Sequence, residues 1–294
     1  MNVGKVTGST ELLPALSDSL GHLLWRCGAV VLDALDRALP PDADVHAYAV
    51  LLALDDEGSR SQQSLADAIC TSRTTMTKVA TQLAAHDLVT RERNAQDRRS
   101  YALARTPAGA QAVRRWHRDV ERVEQELTAS LDAAGRERLH ALLLRVVAPQ
   151  LGPDTPAELR ASVGFLVHRA HQRAHREFAE VLEPLGLEPR FLGSLIALEA
   201  MGPASQAELA RGLGMTGASM VPIVDAMEER GLVERRPLEG DRRVYALHPT
   251  RRARTALEKG RGVARTGGAP SLQVLDDAER SELTALLARL VTRS

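Results

Sequence analysis

The stretch LVTRERNAQDRRSYAL, Leu88 to Leu103, returns 144 residues later as LVERRPLEGDRRVYAL, Leu232 to Leu247, with 9 of 16 positions identical. In each copy an apolar Leu-Val start leads through a polar turn to a second run ending Tyr-Ala-Leu. That pattern predicts a β-hairpin with a charged tip. Outward from it the match continues: between Ser61–Val113 and Ser205–Leu257, 16 of 53 positions are identical, among them Ser61/Ser205, Leu65/Leu209, Ala66/Ala210 and Met76/Met220. Further upstream the copies align at offset 143, pairing Arg26 with Arg169 and Leu39 with Leu182. A two-fold repeat of this length is a duplicated domain, since solenoid repeats are far shorter.

Around each hairpin the apolar spacing is helical. Ala15–Ala38 is expected as a long first helix stopped by Pro40 and Pro41, and Val45–Asp55 as a second. A short helix Gln63–Ile69 follows a Ser61 cap. Thr71 or Ser72 then caps a helix running to about His86, with Met76, Val79, Ala80 and Leu83 on one face. Thr106-Pro107 opens a helix to about Ser130, with proline at the first position, where its missing N–H is not needed. Ala133–Val147 closes the first copy. The segment Pro149–Pro156, with three prolines and a glycine, separates the copies. The division is therefore 1–150, a linker at 151–156, and 157–294. In the second copy Gly262, Gly267, Gly268 and Pro270 should break the helix near Thr266 that runs unbroken in the first.

Composition agrees. The 294 residues suit two domains of ordinary size. Aromatics are only 3% and Leu, Ala and Val dominate the apolar content, which favours helix over sheet. The fold class expected is mainly α with small β-hairpin wings. Formal net charge is zero, so any basic surface must come from local segregation of charge. Two cysteines without metal-type spacing, no long apolar run and no basic-then-apolar leader point to the cytoplasm. No glycine-rich phosphate loop, nucleophile triad or zinc motif occurs in a suitable context, so no catalysis and no cofactor are expected.

A helix pair followed by a hairpin and flanking helices is the winged helix-turn-helix arrangement. The Leu-Val-x-Arg strand, the Asp97-Arg98-Arg99 and Asp241-Arg242-Arg243 tips, and Thr106-Pro107-Ala108-Gly109 resemble the MarR family over nearly the whole chain. The resemblance implies a transcriptional regulator binding double-stranded operator DNA, with half-sites about one helical turn apart. It also implies an intramolecular pseudo-dimer in which the two copies pair through their first and last helices, without need of a further oligomer. Such regulators commonly sense a small molecule between the first helix and the DNA-binding lobe. The competing reading is a small-molecule-binding protein on the same fold with little DNA affinity.

The residues expected on DNA are Ser72, Arg73, Thr74, Thr75, Thr77 and Lys78 on the first reading helix, Thr216 and Ser219 on the second, and the wing arginines Arg98, Arg99, Arg242 and Arg243. The alternative for each is a solvated face or turn. For an effector, His168, His171 and His175 share one face of the second copy's first helix, aligned with Trp25, Gly28 and Leu32. Trp25, His168, His171 and His175 are the ligand-binding candidates, against the plainer reading of partly buried polar packing; no metal is assigned. The copies also differ in charge. Gly58–Arg105 has eight Lys/Arg and four Asp/Glu, whereas Gly202–Pro249 has six and seven, and Pro222 stands where Lys78 aligns. Repeat 1 is expected to carry more of the DNA affinity.

Overall fold

The computed structural model describes residues 12–40, 43–54, 58–93, 101–238, 241–265 and 268–292. The first repeat runs from a 3-10 turn (Pro14–Leu16) through α1 (Leu20–Ala38), α2 (Val45–Ala53), β1 (Ser59–Ser61), α3 (Gln62–Ala68), α4 (Arg73–Ala85), β2 (Val89–Arg93), β3 (Tyr101–Arg105) and α5 (Pro107–Leu127) to α6 (Ala133–Val147). After a short α7 (Ala157–Ala161), the second has α8 (Val163–Leu182), α9 (Pro189–Met201), β4 (Ala204–Ser205), α10 (Gln206–Leu213), α11 (Gly217–Glu229), β5 (Val233–Leu238), β6 (Asp241–Pro249), α12 (Arg251–Arg265) and α13 (Asp277–Val291). The fold is mainly helical with small antiparallel sheets, in two tandem winged-helix copies.

Two helix boundaries and the number of strands in each wing differ from the sequence expectation. Helix α1 begins at Leu20 instead of Ala15, because Pro14 and the Ser17 and Ser19 hydroxyls favour a separate 3-10 turn before it. Helix α5 ends at Leu127, where Thr128 turns its hydroxyl back to the Glu124 carbonyl. Each wing is also three-stranded, in the order β1-β3-β2 and β4-β6-β5. The third strand is not legible in the sequence, because Ser59–Ser61 and Ala204–Ser205 are too short to show alternation.

Helix starts follow the caps. Ser61 accepts from the Ser64 N–H at 3.1 Å, Ser72 from Thr75 at 3.1 Å and Thr106 from Gly109 at 3.0 Å. Gly109 is required on a second ground, since a Cβ there would lie 2.1 Å from the Leu88 carbonyl oxygen. Ser205 with Glu208, and Asp276 with Glu279, form reciprocal capping boxes. The expected break is present: α12 stops at Arg265, Gly268 takes a left-handed φ of 54°, and a 3-10 turn occupies Pro270–Val274.

Contacts divide the chain into two compact units that interleave in sequence: Val31–Ala129 with Val147–Leu166, and Met1–Val30 with Ser130–Val146 and Val167–Ser294. In the former, α2 packs on α5 and α4, and buried residues include Leu51, Leu65, Met76, Leu83 and Leu103. The latter has a core of Phe191, Leu195, Leu209, Met220, Val224, Met227 and Leu247, joined by Leu16 from the first repeat. It also holds α6 beside α13. The Ser130 hydroxyl donates to the Arg289 carbonyl at 2.9 Å, and Arg138 pairs with Glu282 at 2.8 Å. Among the described residues no helix is long and apolar enough to cross a membrane.

Candidate nucleic-acid interface

Helix α4 is amphipathic. Met76, Val79, Ala80 and Leu83 are buried, leaving Ser72, Arg73, Thr74, Thr77 and Lys78 exposed on the opposite face. Thr75 is half-buried and its hydroxyl is 2.9 Å from that of Ser72, so it serves the cap. The Arg73 guanidinium is steered by Gln63 of α3, which in turn donates to Asp67 at 2.8 Å. Thr77 bonds back to the Arg73 carbonyl at 3.0 Å. Lys78 stands exposed in the middle of the face and makes no ion pair with any described residue.

Helix α11 has the same frame with different chemistry. Met220, Ile223, Val224 and Met227 are buried, and the outer face offers Gly217, Ala218, Val221 and Pro222. Thr216 caps the helix and its hydroxyl lies 2.8 Å from that of Ser219; both side chains are half-buried and occupied with each other. Pro222 interrupts the helical hydrogen bonding from within. The acidic Asp225 and Glu228 are both held by Arg235 of β5.

Of the wing arginines, Arg98 and Arg99 lie outside the described residues. Arg242 and Arg243 fall at the start of β6, where the backbone is described and the side chains are not. Strand registers place both wings alike: Arg91 pairs with Leu103 across β2/β3, and Arg235 with Leu247 across β5/β6.

The histidine face of α8 points inward, as its alignment with apolar residues suggests. His171 is buried and His175 half-buried, with ring centroids 5.5 Å apart. Burial, reinforced by His175, drives the His171 pKa down to about 3. Burial also lowers His175, with Arg190 adding to the effect. His168 is drawn aside to Gln172 at 2.8 Å, and Trp25 is half-buried against the His22 ring, 5.5 Å away. Among the described residues no group of three or more His, Cys, Asp or Glu side chains is placed to hold a metal ion.

Two features were missed in the sequence. Arg26 is 1% exposed, and its Nη1 donates to the Leu213 carbonyl at 3.1 Å, at the turn just before α11. Gly214 follows in the left-handed region at φ 68°, and a Cβ there would lie 1.4 Å from Arg26 Nη1. The recurrence of arginine at Arg26 and Arg169, also buried, was the available signal. The other is Glu124, whose carboxylate accepts the N–H groups of Val163 (3.1 Å) and Gly164 (2.8 Å) and caps α8 together with Ser162. Nothing in the sequence links two residues so far apart.

The MarR family model matches residues 46–101, and a second MarR family model matches 185–244. The chain is 30% identical over 139 residues to the HTH-type transcriptional repressor NicR of Pseudomonas putida, 47% of this chain and 87% of that protein. The chain belongs to the MarR family. This MarR-family chain is also 35% identical over 113 residues to a Thauera aromatica protein whose name assigns it to transcriptional regulation of the hcr operon, 38% of this chain and 67% of that protein. Among solved structures it is similar to CouR of Rhodococcus jostii RHA1 bound to p-coumaroyl-CoA, at 26% identity and a TM-score of 0.41, covering 46% of this chain and 96% of that one. MarR-family proteins are DNA-binding regulators of transcription and not enzymes.

Proposed function

We propose that this MarR-family protein is a ligand-responsive repressor whose repeats, 1–150 and 157–294, each supply one DNA-binding lobe to an intramolecular pseudo-dimer. The observation that carries the reading is the outer face of α4, where Ser72, Arg73, Thr74, Thr77 and Lys78 stand exposed in one stripe over a buried apolar face. Such a stripe fits base edges and phosphates of the major groove. Pairing of the repeats is supported by the contacts of α6 with α13 and of Arg26 with the turn before α11, which join elements of both copies. Repression is carried over from the name of the NicR relative.

For the effector, the inward face of α8 with His171 and His175, beside Gly28 of α1, is the proposed cleft wall. Neutral imidazoles there suit the acceptor and donor groups of a small polar aromatic or acidic compound. The competing reading, a small-molecule-binding protein with little DNA affinity, draws on α11, whose outer face carries Val221 and Pro222 and no basic residue. Gel-shift titration against the DNA directly upstream of the gene separates the two. Retardation that weakens on adding an effector found by thermal shift is expected. No retardation at low salt, with effector affinity intact, would overturn the repressor reading.

A further inference from the structure

The two wing strands carry the same arginine in two electrostatic settings. At offset 144, Arg91 aligns with Arg235, Thr81 with Asp225 and Ala84 with Glu228. In the second repeat Arg235 is half-buried and gripped from α11 by two carboxylates, Asp225 at 2.5 Å and Glu228 closer still. One positive charge faces two negative ones, and the guanidinium fork is filled. In the first repeat the positions of those carboxylates hold a hydroxyl and a methyl group. Arg91 is exposed, has no carboxylate partner among the described residues, and lies over the Tyr101 ring at 4.8 Å. Stacking fixes the guanidinium plane and leaves its edge N–H groups turned outward, where they can donate to phosphate oxygens.

Arg91 sits on β2, the strand packed against α4, seven residues before Arg98 in the sequence. A sugar-phosphate backbone running between a reading helix and its wing would meet this side chain. We propose that Arg91 is a phosphate-contacting residue of the first lobe, and that Asp225 and Glu228 are a built-in brake that withholds Arg235 from the same role in the second. The proposal rests on the DNA-binding reading and adds to it a residue and a cause of unequal lobes. The deficit of the second lobe is then more than missing charge: its own reading helix competes with DNA for the wing arginine.

The test transplants first-repeat chemistry into the second. The full-length protein is titrated, at several salt concentrations, with a duplex from upstream of its gene and with a scrambled duplex of equal length. Asp225→Thr with Glu228→Ala should tighten binding to both duplexes and steepen the slope of log K against log salt by about 0.9, the value for one added phosphate contact. The isosteric pair Asp225→Asn with Glu228→Gln should do the same, which guards against a packing artefact. Adding Arg235→Ala should cancel the gain, whereas Arg235→Ala alone should change little. Arg91→Ala should weaken binding to both duplexes and make the slope shallower by about 0.9. An unchanged slope in both carboxylate variants, or an Arg91→Ala protein that binds like the parent while Lys78→Ala is impaired, overturns the proposal and leaves the DNA-binding reading standing. Failure of the parent protein to bind either duplex at low salt removes that reading and the proposal with it.

Discussion

Gly214 shows how much one residue can be asked to do. Its φ of 68° is a conformation that an L side chain reaches only with strain, and the Arg26 guanidinium fills the space a Cβ would need. Gly214→Ala should therefore destabilise the fold by about 1–3 kcal/mol, read by urea unfolding, and should disturb α11 because the turn feeds its Thr216 cap. Stability indistinguishable from the parent would show the turn to be tolerant. His171 makes a second residue-scale prediction. Its folded-state pKa of about 3 lies below the ordinary value of 6.5, so the unfolded chain binds the extra proton as pH falls. The His171 contribution to stability is unaffected above pH 6.5 and declines below it by on the order of 1 kcal/mol per pH unit until the folded-state value is reached. Replacing His171 by Leu should make the dependence of melting temperature between about pH 6.5 and 4 shallower, with His22 and His175, both also lowered by burial, keeping the remainder; an unaltered profile would place the acid sensitivity elsewhere.

At the scale of elements, the two repeats differ in how they use equivalent helices. Unbroken α5 delivers Glu124 to the first N–H groups of α8, a negative charge where a helix end favours one. The aligned position in the second repeat is Gly268, beyond the end of α12. Glu124→Gln should lower stability by about 1 kcal/mol in thermal unfolding, since a charged acceptor is exchanged for a neutral one. An equal melting temperature would mean that Ser162 suffices as the cap. Helix α11 is the converse case, a proposed reading helix with a proline inside it. Pro222→Lys restores the missing N–H and should raise the melting temperature, and it should also strengthen DNA binding with a steeper salt slope. A less stable Pro222→Lys protein would show that the helix has adapted to its proline.

For the molecule as a whole, the unequal copies predict an unequal operator. Basic residues outnumber acidic ones by four over Gly58–Arg105, around α4, and fall one short over Gly202–Pro249, around α11. Because phosphate neutralisation dominates affinity, the Arg98→Ala/Arg99→Ala pair should cost more binding than Arg242→Ala/Arg243→Ala, and Lys78→Ala should add to the former loss. Footprinting should show one half-site protected at lower protein concentration than the other. Equal losses from the two wing pairs, with Lys78→Ala silent, would show that the charge asymmetry has no functional weight.

The sequence by itself determined whatever depends on near neighbours and on repetition. Apolar spacing and the Ser61, Ser72 and Thr106 caps marked the helices. The double Asp-Arg-Arg motif marked the family, and Gly and Pro after Arg261 marked the end of α12. These are local because a helix is set by hydrogen bonds four residues apart and by the side chain at its cap. Tertiary structure alone decided which distant groups meet. Arg26 reaches the Leu213 carbonyl, Glu124 caps α8, and Arg235 falls between Asp225 and Glu228, while its twin Arg91 is left to a tyrosine ring. The same residue type in the same motif thus acquires opposite electrostatic roles, because a guanidinium pairs with whichever carboxylate the packing of strand against helix brings within hydrogen-bond distance.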